Sequence, residues 1–265
     1  MVIVLVVATG VGLVWAVQRS LIYYPDSSPV PPAADALPGA RDVSMTTADG
    51  VELSAWFAPT PDEVDDTGYA VLVAPGNAGN RLSRVDLADA LRERGFAVLL
   101  MDYRGYGGNP GSPDEDGLVQ DGLAAATALE AEGYPPERTI YFGESLGGGV
   151  IALLLSERPP AGAVFRSPFT ELAAVGRHHF PLLPVNLLLR DRFPVIEHVE
   201  QSDVPVSVVR ANQDSVVPTE LSAQVAEAAP ALVEELVLEG DHNDPPMFGP
   251  NVADVVTRLV DALDG

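Results

Sequence analysis

The sequence lacks cysteine altogether, and its 265 residues also contain no lysine. Without cysteine the chain has no disulfide, no thiolate nucleophile and no cysteine-ligated metal site. All 15 basic residues are arginines, and the 38 Asp and Glu residues leave a net charge of −23. A chain this acidic repels phosphate backbones, so we do not expect nucleic acid as a partner. The hydrophobic fraction of 47% excludes intrinsic disorder.

Charge is also absent from the N-terminal run Val2–Val17, and the apolar character resumes beyond Arg19 as far as Tyr24. Residues 1–24 are long enough to cross a hydrocarbon core of about 30 Å, whereas the first run alone is too short. We therefore predict a single membrane anchor helix over residues 1–24, with a buried core helix as the alternative. Arg19 is the only flanking charge and favours a cytoplasmic location for the rest of the chain.

Residues 25–42 are rich in proline and are predicted to form a linker. From residue 43 onward, apolar runs of two lengths alternate. The strand-like runs are Val43–Thr47, Val51–Ala58, Tyr69–Ala74, Phe96–Met101, Thr139–Phe142, Gly162–Phe165, Val204–Arg210 and Leu232–Leu238. The helix-like runs are Leu82–Arg94, Asp114–Glu132, Leu146–Ser156, Thr219–Ala229 and Val252–Leu263. This alternation predicts an α/β domain over residues 43–265, with a mostly parallel twisted sheet and helices on both faces.

One segment, residues 168–203, interrupts the alternation between two strands. It is apolar, carries several prolines, and is too long for a simple loop. We predict a small cap that faces an acyl chain or a lipid, with two short helices packed on the sheet edge as the alternative.

The stretch Gly143-Glu144-Ser145-Leu146-Gly147 lies directly between a predicted strand and a predicted helix. A nucleophile elbow requires this context, because the serine must sit on a tight turn that only flanking glycines permit. Its hydroxyl then points above the sheet, while the helix N-terminus directs amides at a developing oxyanion. We predict that Ser145 is a nucleophile; a cap at the start of an ordinary helix is the alternative.

A serine nucleophile needs a base, and His242 is the one histidine of four that follows the last predicted strand. In hydrolases that carry a nucleophile elbow, the three residues follow the chain order serine, acid, histidine, and this order selects His242. Asp214 follows the preceding strand and is the predicted acid that would hold the imidazole tautomer. Asp241 and Asp244 are rivals, but carboxylates so near in sequence rarely fold back onto the same ring.

An oxyanion hole needs two backbone amides. We expect one from Leu146, directly after the nucleophile, and one from the loop after the third strand. In that loop, residues 75–80, we predict the amide of Asn77, with that of Ala78 as the second choice.

Together these stretches resemble the α/β-hydrolase superfamily, and more narrowly its N-terminally anchored branch of membrane-associated depalmitoylases and fungal bud-emergence-type hydrolases. The resemblance is carried by residues 18–25, 76–80, 102–107, 143–147, 167–169, 214–218 and 240–244. It implies an α/β-hydrolase fold, a triad of Ser145, Asp214 and His242, and neither a cofactor nor a metal. One departure is Pro75, which stands where relatives usually carry histidine.

The expected function is therefore that of a serine hydrolase that cleaves a carboxylic ester or thioester, with a small-molecule or lipid-like acyl substrate. Three alternatives remain: a peptidase or amidase, an acyltransferase in which an alcohol replaces water, and a non-catalytic anchored interaction protein of the same fold.

Overall fold

The computed structural model describes residue 12 and residues 15–265. Most of the predicted anchor thus lies outside the described residues. Within them, none of the helices combines the length and the apolar character that crossing a bilayer requires. Residues 15–22 are helical and are called α1 here.

The strands are β1 (Tyr24–Pro25), β2 (Arg41–Thr46), β3 (Glu52–Ala58), β4 (Ala70–Ala74), β5 (Ala78–Gly79), β6 (Ala97–Met101), β7 (Thr139–Glu144), β8 (Gly162–Arg166), β9 (Val206–Ala211) and β10 (Leu232–Leu238). Eight of them form one sheet in the order β10-β9-β8-β7-β4-β6-β3-β2. Strand β3 runs antiparallel to both of its neighbours, β2 and β6, and the other pairings of this sheet are parallel. Strands β1 and β5 form a separate parallel pair.

The remaining helices are α2 (Ala33–Ala36), α3 (Val85–Arg92), α4 (Glu115–Ala131), α5 (Leu146–Glu157), α6 (Leu172–His179), α7 (Val185–Leu188), α8 (Val195–Glu200), α9 (Thr219–Ala228) and α10 (Pro250–Asp264). Buried residues of α4, α5, α8 and α9 form a core on one face of the sheet. Those of α2, α3 and α10 form a second core on the other face. The predicted α/β class with two covered faces is confirmed.

Strand β4 explains why the sheet is covered on both faces. Its five residues are all buried, so the strand has no polar side. Ala70, Leu72 and Ala74 pack into one core, and Val71 and Val73 pack into the other. Successive side chains of a strand point to opposite faces, so a continuous apolar run requires helices on both.

The predicted linker and cap both contain ordered structure. In the proline-rich segment, Ala33 and Leu37 are fully buried, because α2 packs against β2 and joins the core that also contains α3 and α10. Residues of α6 and α7 lie around Ser145, at the carboxyl end of β7, whereas α8 buries Val195 and Val199 in the core that also contains α5. Only the first two helices of the predicted cap therefore lie above the carboxyl ends of the strands.

Candidate active site

Ser145 is the single residue between the end of β7 and the start of α5. Its backbone has φ +51° and ψ −109°, a strained conformation for a residue with a side chain. A Cβ on Gly143 would lie 2.7 Å from the Gly147 carbonyl oxygen, and a Cβ on Gly147 would lie 2.1 Å from that of Ala74. Both flanking glycines are therefore required for the turn that lifts the serine above the sheet.

The predicted base and acid meet although 27 residues separate them in sequence. His242 Nδ1 lies 2.7 Å from Asp214 Oδ2, and both side chains are buried. Burial alone would raise the pKa of Asp214. The hydrogen bond and charge of His242, with the amides of Val216 and Val217, outweigh burial and lower that pKa below its usual value. Asp214 is thus held as a carboxylate facing the ring.

The rival carboxylates do not reach the imidazole. Asp241 accepts hydrogen bonds from the amide and hydroxyl of Ser215 and from the amide of His242. Asp244 accepts one from the amide of Asp241. These bonds shape the turn that carries His242, while the contact to the ring comes from Asp214 across the loop.

Ser145 and His242 line the same cleft. Among the hydrogen bonds of the described residues, none joins the serine hydroxyl to the imidazole. Bonds between a nucleophile and its base are commonly long until substrate binds. The catalytic roles of Ser145, His242 and Asp214 stay predictions, on a geometry that brings the three to one edge of the sheet.

The two predicted oxyanion donors flank the serine. Leu146 is the first residue of α5, so its amide has no acceptor within the helix. Asn77 lines the cleft beside Ser145, and among the described residues its amide donates no backbone hydrogen bond. The second choice, Ala78, instead belongs to β5 and pairs with Tyr24.

Asn77 is held in place by three hydrogen bonds. Its carbonyl accepts a hydrogen bond of 2.9 Å from the Tyr24 amide and one of 3.0 Å from the Tyr106 hydroxyl. Its side-chain amide donates to the Ile22 carbonyl at 2.9 Å. Pro75, where relatives usually carry histidine, is held through its carbonyl by the Tyr103 hydroxyl at 2.9 Å.

A buried charge cluster that the sequence did not reveal lies directly beneath the elbow. Glu144 accepts hydrogen bonds from Arg84 at 2.7 and 3.2 Å, and Arg166 lies 3.1 Å from the same carboxylate. Burial would raise the pKa of Glu144, but the two guanidinium groups outweigh burial and lower it to about 2. In the sequence around Ser145, the acidic residue before the serine is the only indication of this cluster, because both arginines are distant in sequence.

The two arginines connect this carboxylate to the loops that carry the other candidate groups. Arg84 also donates to the carbonyls of Ala78 and Asn80, at 3.1 and 3.3 Å, in the loop of Asn77. Arg166 donates to the carbonyl of His242 at 2.8 Å. The elbow, the oxyanion loop and the histidine loop are therefore joined through one carboxylate.

Ser145 lies where two cavities meet. One is an apolar cavity of about 650 Å³ between α1, α6 and α7, and among the described residues no Asp, Glu or Arg side chain lines it. Its lining residues include Leu21, Ile22, Phe169, Leu172, Val175 and Phe180. The other is an open cleft that contains His242 and the carboxylates of Asp86, Asp89 and Glu93.

Residues 18–23 form one wall of the apolar cavity, a contact that composition alone did not predict. The Gln18 side chain donates to the Leu188 carbonyl at 3.0 Å and accepts from the Arg190 amide at 2.8 Å. Arg19 binds Asp191 through two hydrogen bonds of 3.0 Å each, and the Tyr23 hydroxyl binds the same carboxylate. The last part of the predicted anchor thus lies against the cap.

In the described part of the chain, no group of three His, Asp or Glu side chains is placed to hold a metal ion.

Comparison with known proteins identifies the family. A family model described as serine aminopeptidase, S33, matches residues 66–194. An uncharacterized protein of Mycobacterium tuberculosis is 45% identical over 262 residues, which cover 97% of this chain and 92% of that protein. The uncharacterized protein YfhR of Escherichia coli O157:H7 is 30% identical and covers 91% of this chain and 86% of its own length.

Two further comparisons concern proteins with stated activities. The lysophosphatidylserine lipase of Xenopus tropicalis is 30% identical over 211 residues, which cover 69% of this chain and 52% of the lipase. A solved esterase structure from Pyrococcus furiosus matches with a TM-score of 0.73 at 22% identity, covering 91% of this chain and 100% of that one. The chain belongs to the α/β-hydrolase superfamily, and the predicted α/β-hydrolase fold is confirmed.

The glycines of the elbow provide a first prediction. Gly147→Ala is expected to lower the free energy of unfolding by about 3 kcal/mol, because its Cβ meets backbone that cannot move aside. Gly148→Ala is the matched control. A Cβ there makes only an ordinary 3.5 Å contact with Phe165. Because alanine is favoured over glycine inside a helix, the free energy of unfolding of this variant should rise by about 0.5–1 kcal/mol. Urea unfolding of the full-length variants measures both, and equal stabilities would contradict the proposed steric requirement.

The charge cluster provides a second prediction. Glu144→Gln leaves two buried guanidinium groups without a counter-charge and is expected to cost about 3–5 kcal/mol of unfolding free energy. Glu227→Gln, which changes an exposed residue, should stay within about 0.5 kcal/mol of the unchanged chain.

The pH dependence of this difference checks its origin. Because the pKa of Glu144 falls from 4.5 to about 2 on folding, its contribution is complete above pH 4.5 and is lost as the pH falls towards 2. The loss amounts to roughly 3 kcal/mol. The gap between the unchanged chain and Glu144→Gln should therefore narrow over this interval, and a constant gap would mean that charge is not the cause.

Proposed function

We propose that this chain is a serine hydrolase that cleaves a carboxylic ester or thioester of an apolar acyl group. Ser145 is the nucleophile, His242 the general base, and Asp214 the carboxylate that orients the imidazole. The observation that carries the proposal is the strained position of Ser145, which lies at the junction of an apolar cavity and the cleft of the His242–Asp214 pair.

In the first half of the proposed reaction, Ser145 Oγ attacks the acyl carbonyl carbon while its proton passes to His242 Nε2. Negative charge develops on the carbonyl oxygen, which accepts hydrogen bonds from the amides of Leu146 and Asn77. Asp214 stabilises the imidazolium through Nδ1. When the tetrahedral intermediate collapses, the alcohol or thiol leaves with the proton from His242.

In the second half, water attacks the acyl-enzyme and gives its proton to His242. Collapse of the second intermediate returns that proton to Ser145 Oγ and releases the carboxylic acid. The chemistry uses only side chains and amides of this chain, and no cofactor or metal takes part in it.

The lining of the two cavities supports the acyl assignment. A volume of about 650 Å³ lies within the usual range for small-molecule pockets. Its aliphatic and aromatic walls favour a hydrocarbon chain, since a charged substrate would lose hydration there without a partner. The leaving group would then occupy the open cleft. The carboxylates of Asp86, Asp89 and Glu93 in that cleft disfavour an anionic leaving group. The lysophosphatidylserine lipase among the relatives supports an acyl ester, but the carboxylates of this cleft favour a leaving group without that lipid's anionic headgroup.

A peptidase is the second candidate, because the matched family model is described as a serine aminopeptidase. A free amino group needs a carboxylate or several carbonyls to bind it. The apolar cavity offers no carboxylate, so an amide substrate would have to place its amino terminus in the open cleft. Aminoacyl p-nitroanilides therefore discriminate this candidate from acyl esters.

An acyltransferase would be revealed by product formed on an added alcohol.

The proposal also includes attachment to a membrane through the predicted anchor, residues 1–24, and a cytoplasmic position of the catalytic domain. It is supported by the uncharged run Val2–Val17 and the single flanking cation, Arg19. Because Gln18, Arg19 and Tyr23 bind the cap, the part of the anchor inserted into lipid lies before Gln18. The narrower likeness to anchored depalmitoylases belongs to the same proposal.

The triad provides a third prediction. The full-length chain should hydrolyse p-nitrophenyl esters and become labelled by a fluorophosphonate, and Ser145→Ala should lose both properties. His242→Ala should lower turnover by about 10²–10⁴-fold, because general-base assistance is lost. His198→Ala, which changes a histidine on α8, is the matched control and should keep full turnover. Near-normal turnover by His242→Ala would overturn the assignment.

The apolar cavity provides a fourth prediction. Val175→Phe narrows the cavity from α6, so hydrolysis of palmitoyl esters should fall by at least about 10-fold while acetyl esters are unaffected. Leu82→Phe, an exposed position that does not line this cavity, should change neither rate. Equal effects of Val175→Phe on both esters would show that the acyl chain does not occupy this cavity.

A further inference from the structure

The most exposed apolar side chains of the cap and of α1 gather at the mouth of the apolar cavity. We define the apolar rim as Trp15, Leu21, Phe180, Leu182 and Leu187. Leu182 is 96% exposed and Leu187 is 85% exposed, and Leu21 and Phe180 are each half-exposed. A group of large apolar side chains left in water in this way marks a surface that contacts something other than water.

The apolar rim and the apolar cavity are parts of one surface. Leu21 and Phe180 belong to the rim and also line the cavity. Leu183 and Leu188, the neighbours of the two most exposed leucines, line it as well. The hydrogen bond from Gln18 to the Leu188 carbonyl holds α1 against the cap at this mouth. Whatever covers the rim therefore also faces the entrance to the cavity.

The distribution of charge indicates what that partner is. None of the 38 carboxylates of the chain falls within residues 1–25 or 172–190, the two segments that carry the rim. Of the arginines in these segments, Arg19 is paired with Asp191 and Arg177 with Glu171. Arg190 has no carboxylate partner among the described residues, and its guanidinium stacks 5.0 Å from the Trp15 ring. In a chain of net charge −23, the rim is thus an apolar face whose one unpaired charge, within the described part of these segments, is a cation, which complements a lipid surface with anionic headgroups.

We infer that the apolar rim docks on a lipid bilayer and that the acyl substrate enters the cavity directly from that bilayer. In sequence, the uncharged run Val2–Val17 directly adjoins the segment that carries Leu21 of the rim. A second copy of this chain fits less well, because pairing two rims would bring like charges together. The route of the substrate rests on the proposed function, whereas docking of the rim does not.

The absence of cysteine makes a direct test available. Leu182→Cys, labelled with an environment-sensitive nitrobenzoxadiazole group, introduces a single probe into the full-length chain. Val233→Cys is the matched control, because Val233 is also an exposed apolar residue but lies on β10 at the far edge of the sheet. The vesicles are phosphatidylcholine with and without phosphatidylglycerol, and doxyl-labelled lipids act as quenchers.

We expect the emission of the probe at position 182 to shift to the blue and to be quenched by doxyl lipids, more strongly when phosphatidylglycerol is present. The probe at position 233 should show neither effect. Equal emission and quenching at the two positions would overturn the docking. A blue shift at position 182 without vesicles, in a sample that sediments as a dimer, would instead assign the rim to a second copy.

A second experiment tests the route of the substrate. Leu182→Asp/Leu187→Asp should lower hydrolysis of a long-chain ester embedded in vesicles by at least about 10-fold, because a carboxylate at the lipid surface opposes docking. Hydrolysis of a soluble acetyl ester should stay unchanged, since neither leucine lines the cavity. Leu232→Asp/Val233→Asp is the control and should leave both rates unchanged.

The outcomes separate the two proposals. Unchanged hydrolysis of the vesicle ester by Leu182→Asp/Leu187→Asp, or equal loss on both esters, would overturn entry from the bilayer. If the unchanged chain hydrolyses neither ester, the proposed function fails, and the fluorescence experiment still decides whether the rim docks.

Discussion

The buried carboxylate of Glu144 is the contact on which the geometry of the candidate site depends. It lies directly before the strained serine and neutralises Arg84 and Arg166, which could not otherwise remain buried without water. Each arginine then binds the backbone of a different loop, one beside Asn77 and one at His242. One carboxylate thus positions the elbow, the oxyanion loop and the histidine loop. None of these segments can shift without leaving a buried charge unpaired.

This arrangement places Ser145 between two unlike environments. On one side α1 and the cap enclose an apolar cavity, and on the other an open cleft holds the imidazole and several carboxylates. A substrate with a hydrocarbon part and a polar part can be oriented by these two sides alone. The hydrocarbon part enters the apolar cavity and the polar part enters the cleft, so the scissile carbonyl is positioned at Ser145. The catalytic groups then do not need to bind either part.

Much of the fold follows from local patterns. The doubly buried run of β4 and the Gly143–Gly147 turn are both visible in sequence, because a strand interior and a glycine-flanked serine leave short-range signatures. The order of the last two loops also indicates His242 and Asp214. The Glu144 cluster and the binding of Arg19 to Asp191 are not visible, because ion pairs between segments far apart in sequence leave no periodic pattern. Composition alone likewise assigned Gln18 and Tyr23 to an anchor, although both are buried against the domain.

The hydrogen bond from the Tyr24 amide to the Asn77 carbonyl has a practical consequence for any shortened version of the chain. A soluble fragment that starts at Pro25 would follow the compositional boundary, yet it would remove this bond, the Ile22 acceptor of the Asn77 side chain and one wall of the cavity. Such a fragment could fold around an intact sheet and still handle substrate differently from the parent. Kinetic constants measured on it would describe another catalyst.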